Sequence, residues 1–136
     1  MNSFSLKVVT PDGLQFDGQV EELIVRTTSG DMGIMAGHIN CVAPLGMGTA
    51  MVITEGKRRY AACIGGMLSM INGEATLVPT TFEWAENIDV KRAEASEERA
   101  KRILADKSAA QTDVRMAEAR LKRALIRKNT ASYKYN

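Results

Sequence analysis

Apolar and polar residues alternate along the first 26 positions. Phe4, Leu6 and Val8 share one side of a strand, Pro11-Asp12-Gly13 turns the chain, and Leu14 and Phe16 begin the return. Asp17-Gly18 predicts a second turn, followed by Val20 and then by Leu23 and Val25 in alternation up to Arg26. Further strands are predicted over 50–53, 60–64, 67–71 and 75–78, separated by Glu55-Gly56, Gly65-Gly66 and Asn72-Gly73. Short strands with turns at this spacing predict an antiparallel sandwich or barrel of about 80 residues.

After Pro79 the rhythm changes from two to about 3.6. Ala93, Ser96, Ala100, Ile103 and Leu104 fall on one helical face, and Val114, Ala117, Leu121, Ala124 and Leu125 repeat the pattern. The link over 106–112 is short enough to make the two helices antiparallel neighbours. The fold class is therefore α+β, with a β-sandwich over 1–84 and a helical hairpin over 85–136. Alanine and serine dominate the hairpin's apolar stripe. Burial contributes only about 25 cal/mol per Å² of apolar area, so small side chains should hold the hairpin weakly and leave it able to move. Permanent packing on the sandwich is the alternative.

Composition sharpens this division. All 11 glycines lie between Gly13 and Gly73, and the last of three prolines is Pro79. Residues 1–80 carry 5 basic and 7 acidic groups, net −2, whereas residues 81–136 carry 13 and 9, net +4. The basic excess suits an anionic partner or a solvated helix. No signal peptide is read in MNSFSLKVV. The uncharged stretch 32–54 is interrupted by Gly33, Gly37, His38, Asn40, Pro44, Gly46 and Gly48, which predicts strands and turns instead of a membrane helix. Cys41 and Cys63 suggest neither a zinc site nor a disulfide, leaving reduced buried thiols.

Catalytic chemistry has few residues to draw on. His38 is the lone histidine, no Ser/His/Asp set is evident, and the glycine-dense stretch lacks the lysine of a phosphate loop. A non-enzymatic role is expected. The helical half is more informative. Ile88-Asp89-Val90-Lys91-Arg92-Ala93 sets Asp89 and Arg92 three apart, Arg99 follows Arg92 by seven, and Arg120, Arg123 and Arg127 fall on the side of the second helix away from its apolar stripe. Antiparallel pairing would bring Arg92 towards Arg123 and Arg127, and guanidiniums converging with one carboxylate suit a polyphosphate joined to a base or sugar. The plainer reading makes Asp89 a helix cap and the arginines solvated surface.

Over essentially its whole length the sequence resembles the epsilon subunit of bacterial F-type ATP synthase. The resemblance rests on Val8-Val9-Thr10-Pro11-Asp12-Gly13, Gly30-Asp31-Met32-Gly33-Ile34, Gly37-His38 and Gly65-Gly66. Residues 88–93 resemble the family's Ile/Leu-Asp-x-x-Arg-Ala nucleotide motif, and Leu121-Lys122-Arg123-Ala124 with Arg127 resembles the arginine pair of its last helix. Ala36 and Asn40 depart from the family's prolines around the Gly-His pair.

The resemblance implies a non-catalytic rotor subunit of a proton-translocating complex, peripheral on the cytoplasmic face of the cell membrane and not inserted in it. Its sandwich would sit on the gamma subunit and touch the c-ring, with Gly30, Asp31, Met32 and His38 nearest the ring. Its hairpin would lie compact or extend into the catalytic alpha/beta hexamer to block ATP hydrolysis, with Arg115, Arg120, Lys122 and Lys128 meeting acidic surface there. ATP would bind the compact form as a regulatory ligand without being hydrolysed, with Mg²⁺ an open question. Glu83, Ile88 and Asp89 would face the adenine, Ala93 completes the motif, and Arg92, Arg99, Arg123 and Arg127 would take ribose and phosphates. A stalk subunit without nucleotide sensing is the alternative. A nucleic-acid-binding module is a more distant one, since the basic helix carries aromatics only at Tyr133 and Tyr135.

Overall fold

A computed structural model describes residues 2–133, which divide into two compact units, 2–84 and 85–133. Tyr135 lies outside the described residues. The first unit holds ten strands: β1 (Phe4–Thr10), β2 (Gly13–Val20), β3 (Glu22–Thr27), β4 (Gly30–Met35), β5 (Cys41–Pro44), β6 (Met47–Thr54), β7 (Lys57–Ile64), β8 (Met67–Ile71), β9 (Glu74–Val78) and β10 (Thr81–Trp84). They form two five-stranded sheets, in the orders β2-β1-β9-β8-β5 and β10-β7-β6-β3-β4.

The alternation read from the sequence is what the sheets bury. Leu6, Val8, Leu23, Val25, Val52, Leu68 and Leu77 are fully enclosed in one core with Phe4, Val20, Ile34 and Met70. All of that core's buried residues lie between Phe4 and Trp84. At its end Trp84 meets Phe82 edge-on at 5.0 Å, and the Arg59 guanidinium carbon lies 3.7 Å from the Trp84 ring centre, a cation–π contact.

Several local expectations need correction. Asp17-Gly18 is not a turn: β2 runs straight through it, pairing Lys7 with Asp17 and Leu6 with Gly18, because the ladder to β1 outweighs the turn preference of two residues. A bulge between Val8 and Val9 opposes them to Phe16 and Leu14, and Leu14 stays largely exposed. The sandwich is also not wholly antiparallel, since β1 and β9 pair in parallel with Leu6 opposite Ala75 and Val8 opposite Leu77. The turns at Glu55-Gly56 and Asn72-Gly73 are as read. Both residues of each pair have positive φ, 52° and 74° in the first and 50° and 82° in the second, as a tight hairpin turn requires.

The second unit opens with a single 3₁₀ turn, Ala85–Asn87, followed by α1 (Val90–Ala105) and α2 (Gln111–Ala131). Among the described residues no helix is long and apolar enough to cross a membrane.

Candidate functional site

The hairpin begins with Asp89, whose extended backbone (φ −81°, ψ 97°) and carboxylate cap α1: Oδ1 accepts the Arg92 backbone N–H at 3.1 Å. Asp106 closes the helix at its other end and shapes the turn, its Oδ1 accepting both the Ser108 N–H at 2.9 Å and the Ser108 hydroxyl at 2.7 Å. These two hydrogen bonds hold its carboxyl below the usual aspartate range. Between the helices the buried contacts are small: Ala93 and Ala100 from α1, Ala117, Ala124 and Ala131 from α2. Leu125, read as part of the stripe, is instead 46% exposed.

Between the alanines lies one charged residue that the hydrophobic pattern could not flag. The Glu97 side chain is only 9% exposed, and its two oxygens are held separately, Oε2 by Lys101 at 2.8 Å one turn along and Oε1 by Lys128 of α2 at 2.7 Å. Both lysines draw its pKa down from 4.5, Lys101 most. A carboxylate with a lowered folded-state pKa contributes stability that is complete above its unfolded value and is lost as pH falls through the folded one. Helix protection in the hairpin, followed by amide exchange, is therefore expected to decline as pH drops below 4.5. Glu97→Gln should start lower and show a shallower decline, with Asp106 supplying what remains; an unchanged acid profile would show that Glu97 does not clasp the helices.

The Glu97–Lys128 pair also fixes which arginines meet. Arg99, Arg120, Arg123 and Arg127 line one cleft of ≈ 430 Å³ between the helices, floored by Ser96, Ala100 and Ile103. Of the second-helix arginines, Arg123 and Arg127 are half-buried and Arg120 is exposed. Arg92 is not part of the cleft wall. It precedes Glu97 by five residues, about 7.5 Å of helix, which sets it near the level of the last residues of α2 and beyond Arg127. Arg92 and Asp89 are exposed, Ala93 and Ile88 buried. Glu83 belongs to the other unit, on β10 opposite Ala62 of β7. Arg120 is the wall residue that the family motif omitted; the signal in the sequence was its i, i+3, i+7 spacing with Arg123 and Arg127.

In the sandwich, Gly30, Asp31 and Met32 begin β4, the outer strand of its sheet. Asp31 is gripped by Arg26, opposite it on β3, through Nε–Oδ1 at 2.7 Å and a second bond at 3.4 Å. Gly48 makes room for this arrangement, since a Cβ there would fall 2.8 Å from the Arg26 Cβ. His38 follows β4 in a loop, its Nδ1 2.8 Å from the Ile39 carbonyl and 3.9 Å from the Cys41 Sγ. Around it Met35, Ile39 and Val42 expose apolar side chains that the sequence reading did not single out. Burial pushes the Cys63 thiol up to about 12, which keeps it protonated and unreactive. Among the described residues no group of three His, Cys, Asp or Glu is placed to hold a metal.

Comparison with known proteins follows the same two units. Residues 3–85 match the ATP synthase delta/epsilon chain beta-sandwich domain, and residues 86–132 the delta/epsilon chain long alpha-helix domain. The ATP synthase epsilon chain of Bacillus velezensis is 40% identical over 131 residues, spanning 96% of this chain and 98% of that one. That of Caldanaerobacter subterraneus is 39% identical over 131 residues, spanning 96% and 94%. In fold, the chain superimposes with a TM-score of 0.81 on a chain from the Euglena gracilis mitochondrial ATP synthase, at 22% identity and covering 96% of this chain and 81% of the other.

Proposed function

This chain belongs to the ATP synthase delta/epsilon chain family, and on that premise we propose that it is the non-catalytic epsilon subunit of a proton-translocating F-type ATP synthase whose hairpin binds ATP and controls hydrolysis. The observation that carries the nucleotide reading is the convergence of Arg99, Arg120, Arg123 and Arg127 on one cleft. Like charges so close repel, and a polyphosphate relieves that repulsion while accepting charge-assisted, bidentate hydrogen bonds. A ligand that binds only the compact hairpin stabilises it by mass action, about 2.7 kcal/mol at a hundredfold excess over Kd. That is comparable to the few kcal/mol that burying five alanine methyls contributes, so occupancy shifts the balance between compact and extended forms.

Asp89 and Arg92 would serve the base and ribose, with Ile88 beside them, and the cleft arginines the phosphates. The sandwich would dock on the gamma subunit and present Gly30, Asp31, Met32 and His38 to the c-ring, their polar groups flanked by exposed Met35, Ile39 and Val42. Extended, the hairpin would offer Arg115, Arg120, Lys122 and Lys128 to acidic surface on the alpha/beta hexamer. The complex would hold the chain at the cytoplasmic face of the membrane without insertion.

A second reading, a stalk subunit without nucleotide sensing, is favoured by one observation. The Asp89 carboxylate already caps α1, and Arg92 stands outside the cleft. Calorimetric titration of the isolated chain separates the two. Saturable ATP binding is expected, weaker for ADP and lost in Arg99→Ala/Arg123→Ala; Asp89→Ala/Arg92→Ala should weaken it further than the cap loss of about 1 kcal/mol accounts for. No heat at millimolar ATP would leave the purely structural reading.

A further inference from the structure

The arginine cleft continues past the residues of the family motif. At the turn end of the hairpin a second cavity of ≈ 320 Å³ adjoins it, and the two share Ile103 and Arg120. The far wall of this second cavity carries two carboxylates, Asp106 and Asp113. Arg120 thus stands at the boundary where the groove changes from cationic to acidic. It precedes Arg127 by seven residues, about 10 Å of helix, with Arg123 between them. Among the described residues no hydrogen bond or ion pair engages the Arg120 side chain, so its guanidinium has donors to give.

A phosphate chain lying in the groove gains at each guanidinium and meets repulsion once it passes Arg120. Arg99, Arg123 and Arg127 line the first cavity and not the second, and would serve a two-phosphate chain. A third phosphate extends from there towards Arg120, and a longer chain runs into Asp106 and Asp113. We propose that Arg120 is the length-determining residue of this cleft, reading the terminal phosphate of a triphosphate chain, with the two carboxylates marking where the chain must end. This rests on the reading that the cleft takes a polyphosphate, but not on what the chain is attached to.

The test uses the full chain, wild type, Arg120→Gln and Arg120→Lys, titrated with ATP, ADP, inorganic tripolyphosphate and inorganic pyrophosphate. Arg120 is exposed, so helix content by circular dichroism should match across the three. Arg120→Gln is expected to lose about tenfold in affinity for both three-phosphate probes and to leave both two-phosphate probes unchanged, as removal of one charge-assisted hydrogen-bonding group predicts. Arg120→Lys should restore part of the difference. Equal losses for two- and three-phosphate probes, or no loss for either, would overturn the assignment while leaving the nucleotide reading in place. Length-dependent binding of the inorganic chains without ATP binding would uphold Arg120 and remove the nucleotide reading. Failure of the wild type to bind any probe would remove both.

Discussion

Alanine in place of Gly66 is expected to lower the melting temperature of the sandwich by more than 10 °C. Gly66 has φ +94°, where an L-residue is strained, and a Cβ built there would lie 2.0 Å from the Val78 carbonyl oxygen and 2.7 Å from the Pro79 Cα. Those atoms are backbone and cannot swing aside as a side chain would. The residue's own carbonyl accepts the Leu45 N–H at 2.8 Å, which ties the turn to the connection between β5 and β6, so moving the turn to relieve the clash strains that hydrogen bond. Backbone strain at positive φ contributes about 1–3 kcal/mol, and displacement of packed backbone adds to it. Each kcal/mol moves the midpoint of a domain this size by about 4–8 °C. Gly73→Ala is the control: its φ is +82°, but nothing lies within 4 Å of a new Cβ, so only the backbone strain is incurred. If thermal unfolding of Gly66→Ala coincided with that of Gly73→Ala, the close approach to Val78 would not be the reason for glycine.

Truncation before Asp89 has the second large effect expected, this time on activity. The buried core of the sandwich draws on residues from Phe4 to Trp84, so loss of 89–136 removes none of it and the shortened chain should fold and still be incorporated into the synthase complex. What is lost is a hairpin whose interior is mainly Ala93, Ala100, Ala117, Ala124 and Ala131 around the clasped Glu97. On the proposed function that hairpin blocks hydrolysis when extended, so the ATPase rate should rise by the inverse of the unblocked fraction: about tenfold where nine complexes in ten are blocked. The measurement is steady-state hydrolysis by complexes reconstituted with full-length or truncated chain. Equal rates, with equal incorporation confirmed by gel, would exclude inhibition by the hairpin.

The arginine cleft shows how far local patterning reached. Arg120, Arg123 and Arg127 were legible as one face of α2, and Asp89 as a helix cap. The cleft is lined by Arg99, and not Arg92, with Arg123 and Arg127; antiparallel packing alone leaves the axial offset open, and an offset of one turn changes which guanidiniums are neighbours. Glu97 was invisible for a related reason. A glutamate on a helix reads as surface, and its burial follows only when α2 packs over it and Lys128 joins Lys101 in holding its two oxygens.

By itself the sequence determined the properties that depend on neighbours within a few residues. These are the change from strand to helix after Pro79, the alternation that buries Leu6, Val8, Leu23 and Val25, and the tight turns at Glu55-Gly56 and Asn72-Gly73. With them came membership of the family. The tertiary structure decided what depends on elements meeting across long stretches of chain: the parallel pairing of β1 with β9, the passage of β2 through Asp17-Gly18, and the register of α1 on α2 that assembles Arg99, Arg120, Arg123 and Arg127. The physical reason is that periodicity fixes which face of an element is apolar, whereas sliding one element along another preserves every periodicity. Only the packing of particular side chains, here Glu97 against Lys128 between alanines, selects one offset.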